Sequence, residues 1–230
     1  MATARAVLES LLSARKLDVT LTTAHPWTAE PEDRVAATGV PGIDEPLGGG
    51  LRRGHLSEIV GPRSSGRSTV MCSAMAAAAA RGEAVALIDS SDRFDPASAA
   101  DAGVDLSRVL WIRERGDATR ALKAANLVLQ AGGFGLVAFD LADVHAMAIR
   151  QFPNTTWMRL SRVVEGSQTA VVLLGTDHIF RSAGGATIAL QTAAGSIRGT
   201  WHGANDRSRF LRSLDVEPRV IGVSTRRAIS

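Results

Sequence analysis

One stretch constrains this chain more than any other: Gly61-Pro62-Arg63-Ser64-Ser65-Gly66-Arg67-Ser68-Thr69. An apolar run, Leu56–Val60, leads into it, and an alanine-rich segment, Ser68–Arg81, follows at helical spacing. Strand, G-x-x-x-x-G-x-[ST], helix is the phosphate-loop arrangement. Its glycines let backbone N–H groups curl round phosphate oxygens, and the helix N-terminus adds positive dipole. The downstream sequence supplies a sheet to carry such a loop. Apolar segments Ala84–Asp89, Val109–Ile112, Leu136–Asp140 and Thr169–Gly175 read as strands. Between them Ala97–Ala102, Ala118–Gln130 and Trp157–Glu165 read as helices. Strands alternating with helices imply βαβ units, hence an α/β fold with a mainly parallel sheet flanked by helices.

Upstream of the loop, Thr38–Asp44 is turn-rich and Leu47–Leu51 is a glycine loop; beyond Gly184 the strands shorten to Thr187–Thr192 and Arg219–Ser224. Three regions follow. Residues 1–35 are a helix, Thr3–Lys16, with a proline-punctuated linker; residues 36–200 form the core; residues 201–230 are a basic segment. On the first helix Val7, Leu8, Leu11 and Leu12 make an apolar stripe. That stripe packs either on its own domain or on another subunit or partner. In the last region Arg207, Arg209 and Arg212 are the best candidates for contact with DNA or an acidic partner, against the alternative of a solvated face.

Composition narrows the classes. Hydrophobic residues are 45% and charged residues 21%, which suits a soluble domain with a sizeable core. Aromatics are 4% and Tyr is absent, which argues against a surface that stacks on bases. The single cysteine, Cys72, excludes an intrachain disulfide and a cysteine-based zinc cluster, and fits a reducing cytoplasm. No apolar run is long enough to span a membrane, and the histidines show no metal-ligand spacing, so no metal site of that kind is expected.

The segments Thr38-Gly39-Val40-Pro41-Gly42-Ile43-Asp44, Leu47-Gly48-Gly49-Gly50-Leu51, Glu58–Thr69, and Ile88-Asp89 through Phe94-Asp95-Pro96 resemble the RecA recombinase family. The resemblance covers roughly residues 36–195. It implies a RecA-like P-loop NTPase core, with ATP and Mg²⁺ as ligands of Gly61, Ser64, Ser65, Gly66, Arg67, Ser68 and Thr69. Asp140 matches the Walker B position, holding the metal through water; the alternative is an acid that accepts from loop N–H groups.

Three positions depart from that family. Arg67 stands where it has lysine; a planar fork replaces a compact point charge, so the side chain either holds a phosphate or fills the pocket. Ser91 stands where it has the glutamate that positions the attacking water, with Asp92 one residue away. Thr176-Asp177-His178 replaces its Asn-Gln pair, leaving an acid to repel phosphate or His178 to donate to it. The gaps that match its DNA-contacting loops, Leu141–Thr156 and Phe180–Ala186, carry few cations. A core of this size with short loops, altered nucleotide chemistry and a helical arm resembles the ImuA family of accessory factors in bacterial translesion mutagenesis. That resemblance implies RecA, an ImuB-type pseudo-polymerase and an error-prone polymerase as partners, with weak DNA binding and self-association as further expectations. The alternatives are a working RecA-type DNA-dependent ATPase and a protein resembling SOS cell-division inhibitors.

Overall fold

The computed structural model describes residues 34–190, 198–202, 210–215 and 218–221; the side chains of 198–202 and 210–215 are not part of that description. The arm helix with Val7, Leu8, Leu11 and Leu12, and the arginines Arg207 and Arg209, lie outside the described residues. Arg212 falls within a described strand, but its side chain does not.

The chain enters through β1 (Val35–Ala36), α1 (Pro41–Asp44) and β2 (Leu51–Arg52). The central run is β3 (Leu56–Val60), α2 (Arg67–Ala80), β4 (Ala84–Asp89), α3 (Pro96–Asp101), β5 (Val109–Arg113), α4 (Ala118–Ala131) and β6 (Phe134–Asp140). Then follow α5 (Ala146–Arg150), α6 (Asn154–Val164), β7 (Ala170–Gly175), β8 (Thr187–Leu190), β9 (Arg198–His202), β10 (Phe210–Asp215) and β11 (Pro218–Ile221). The main sheet has 7 strands in the order β11-β8-β3-β7-β6-β4-β5. Every pairing in it is parallel except β11 with β8.

The expected α/β architecture is therefore present: a mostly parallel sheet between two helical layers. One face of the sheet packs α2 and α3 through Val70, Met71, Met75 and Ala99. The other packs α4 and α6 through Ala121, Ala125, Val128, Trp157 and Leu160. Every residue of β3, β7 and β8 is buried, which explains why these strands do not alternate apolar with polar: β7 is an unbroken apolar run, while β3 buries Ser57 and Glu58 within it.

The structure also corrects several readings. Thr38–Asp44 is not only turn: Pro41 opens α1, and the Asp44 carboxylate accepts from Thr38 N–H and Thr38 Oγ1 at 2.8 Å and Gly39 N–H at 3.0 Å. The gap after β6 is not an open loop, because α5 and the first turn of α6 fill it. An antiparallel hairpin, β9 with β10, crosses the boundary placed at residue 200. β11 overlaps the strand read at Arg219–Ser224 but starts at Pro218, and it forms an edge of the main sheet.

Candidate nucleotide site

β3 delivers the chain to Gly61 in the middle of the sheet, and α2 begins six residues later. Only glycine fits at position 61: a Cβ there would lie 2.5 Å from Leu190 O and 2.6 Å from Ser65 Oγ. The loop then bends through Ser64 at φ 61° and Gly66 at φ 90°, both left-handed. Gly66 is the N-cap of α2 and offers no side-chain acceptor, and the first turn holds no acid. The first N–H groups of α2 thus face the loop without a local carboxylate.

Two buried polar side chains at this loop have an atom without a hydrogen-bond partner. Ser65 is buried, and its Oγ finds no hydrogen-bond partner. Arg67 is buried, and its Nη1 is likewise unpaired. Burial pulls the Arg67 guanidinium below its usual value; Asp140 and Asp143 oppose that, and Arg63 adds to it. Buried donors without acceptors cost about 1–3 kcal/mol each, more when charged, so they are kept where a ligand supplies the acceptor. These residues fit a phosphate oxygen.

Asp140 sits at the end of β6, where its Oδ1 accepts from Ala142 N–H at 2.9 Å. Burial pushes its carboxyl up to about 6 against that hydrogen bond. Such a carboxyl suits a site completed by a cation. If nucleotide and Mg²⁺ bind, Ser65, Arg67 and the N–H groups of Ser68 and Thr69 hold phosphate, and Asp140 holds the metal through water; the metal supplies charge neutralisation. Over the mouth, Asp143 bridges two loops, with Arg63 Nη2 at 2.7 Å and Arg93 Nε at 3.7 Å. The Arg63 hydrogen bond, followed by the charges around it, holds Asp143 below the usual carboxylate range.

Ser91 stands where the family resemblance expects a water-positioning glutamate. Asp89 is buried and organises the turn after β4. It accepts from Ser91 N–H at 3.3 Å, Arg93 N–H at 3.0 Å, Phe94 N–H at 2.9 Å and Trp111 Nε1–H at 3.2 Å. That turn places Ser91 and then Asp92, at φ 57°. Asp92 is not free to substitute for a glutamate. Arg113 grips it with two bonds, 2.6 and 3.0 Å, and Arg115 approaches to 3.9 Å. The Arg113 guanidinium also lies 4.5 Å over the Trp111 ring. Paired first of all by Arg113, the Asp92 carboxyl is held below its usual value and is a poor base.

His178 does not donate toward the loop. Its Nδ1 pairs with the Glu58 carboxylate. Glu58, fully buried in β3, also accepts from Ile179 N–H at 2.9 Å, Phe180 N–H at 3.2 Å and Thr187 Oγ1 at 2.6 Å. Further on, Ser182 N–H donates to Leu56 O at 3.0 Å, and Leu56 N–H donates to Ser182 Oγ at 3.1 Å. The segment after β7 is thereby fastened along β3. Sequence reasoning passed over Glu58 and Asp89; the available signal was a carboxylate inside an otherwise apolar strand, which burial permits only with partners. No metal-binding group of His, Cys, Asp and Glu occurs among the described residues. None of the described helices is long and apolar enough to cross a membrane.

Fold and loop define a P-loop domain of the α/β class. A family model described as the RecA N-terminal domain matches residues 28–151, more than half of the chain. The chain belongs to that family. Among curated proteins it is 30% identical to "Protein RecA" of Treponema pallidum over 155 residues, covering 61% of this chain and 38% of that one. It is 30% identical to "Protein RecA" of Acidiphilium cryptum over 155 residues, 61% and 45% of the two chains. It is 37% identical to "Protein RecA" of Kineococcus radiotolerans over 111 residues, 48% and 32%. The chain spans less than half the length of these relatives.

Proposed function

We propose that this chain is a RecA-like accessory protein of the ImuA type, an adaptor in a DNA-damage-induced translesion-synthesis complex, with defective ATP hydrolysis. Its partners in that reading are RecA, an ImuB-type pseudo-polymerase and an error-prone polymerase. The observation that carries it is the state of the carboxylate position: Ser91 stands there, and neighbouring Asp92 is spent on Arg113 and Arg115. Loss of a positioned general base costs about 10²–10⁴ in rate. The fastened segment after β7 supports the same reading, because a strand-binding loop needs freedom to meet DNA.

A second reading, a working DNA-dependent ATPase, draws on the unpaired Ser65 Oγ and Arg67 Nη1, which favour phosphate binding. Phosphate release with and without single-stranded DNA separates the two. The adaptor reading expects no DNA-stimulated turnover, and robust stimulation contradicts it.

A further inference from the structure

The outer face of α4 and α6 is used by neither the phosphate loop nor the fastened segment. The two helices pack against each other and bury Ala121, Ala125, Val128, Trp157, Leu160 and Val164 in one core. Helical spacing then turns Lys123 and Leu127 outward on α4, and Met158, Arg159 and Arg162 outward on α6. All five are exposed, Leu127 to 66% and Met158 to 52%. Large apolar side chains left this open on adjacent helices mark a surface that gains by being covered.

The charge on this face is one-sided. Neither helix contains an Asp or Glu. Arg53, Arg63, Arg81, Arg93, Arg108, Arg113 and Arg120 are all in salt bridges. Lys123, Arg159 and Arg162 enter none among the described residues. A shallow groove of about 250 Å³ is lined by Thr155, Met158, Arg159 and Arg162.

We propose that this face docks an acidic amphipathic segment of a partner protein. Its apolar side chains would cover Leu127 and Met158, and its carboxylates would meet Lys123, Arg159 and Arg162. Charge complementarity selects an acidic occupant, because neither helix carries a carboxylate within its span. The exposed leucine and methionine select protein over nucleic acid. A phosphate backbone would leave both facing water, and the exposed face offers no aromatic ring on which a base could stack. Methionine also adapts to varied apolar partners. The proposal rests on the adaptor reading and names where one partner binds.

The test uses the full chain in nucleotide-free buffer, so its failure leaves the turnover expectation untouched. The probes are a fluorescein-labelled helical peptide of glutamate and leucine, its lysine–leucine counterpart, and a labelled oligo-dT. The variant pairs are Arg159→Glu with Arg162→Glu, and Leu127→Ser with Met158→Ser. Arg219→Glu is the off-face control, and thermal unfolding confirms folding. The acidic peptide should bind, and each pair should weaken it by about tenfold or more while the control does not. No binding of that peptide, equal binding of the basic one, or unchanged affinity in either pair overturns the proposal. Selective loss of oligo-dT alone overturns it in favour of nucleic acid.

Discussion

Replacing Asp140 by asparagine reads the electrostatics of the nucleotide site directly. Burial is the largest influence on its carboxyl; the Ala142 N–H opposes it, Asp89 adds to it, Arg67 opposes and Asp143 adds, leaving a value of about 6. An aspartate in an unfolded chain titrates near 3.9. Between about pH 4 and 6 the native protein therefore holds a proton that the unfolded chain releases, so stability falls as pH rises through that window. Two units at about 1.4 kcal/mol each set an upper bound of about 3 kcal/mol. Asp140 keeps some solvent contact, which reduces the expectation to about 1–2 kcal/mol. The Asp140→Asn variant retains an oxygen to accept from Ala142 N–H and carries no charge. In urea titrations it should exceed wild type by about 1–2 kcal/mol near pH 7.5 and converge with it below about pH 4. A variant no more stable near pH 7.5, or a difference constant across pH, refutes the reasoning.

Two further substitutions test the fastening of the segment after β7. Glu58→Ala strands the N–H groups of Ile179 and Phe180 and the Thr187 hydroxyl, and should cost about 3–5 kcal/mol in urea unfolding, with amide exchange accelerated first over 177–186. A loss below about 1 kcal/mol means the carboxylate is not the anchor. Gly185→Ala would place a Cβ 1.8 Å from Leu56 O, so the segment must lift from β3; a loss of about 2 kcal/mol or more is expected, and a neutral result contradicts the contact.

Much of the fold was legible because its strands are buried on both faces. Leu56–Val60 and Ala84–Asp89 carry their boundaries in their apolar residues, and Gly61 to Thr69 carries the loop in its spacing. α5 was not legible: five residues, Ala146–Arg150, are too few to show a period. The β9–β10 hairpin was hidden because its strands are short and interrupted by charge. At the site, Arg67 and Ser91 were visible as departures, but what binds Asp92 was not. Arg113 lies 21 residues away and reaches it only because β5 pairs with β4. Glu58 meets Ile179 across 121 residues for a similar reason: β3 lies between β7 and β8. Local pattern carries no information on such pairs.

The most direct test of the account is phosphate release by wild type and by Arg67→Lys, each with ATP and Mg²⁺, with and without single-stranded DNA. Both should stay at the protein-free background in every condition, because lysine at position 67 exchanges a planar fork for a point charge on the phosphate but adds no group to position water at Ser91. A DNA-stimulated wild-type rate comparable to a recombinase, lost when Arg67 is changed, would contradict the account.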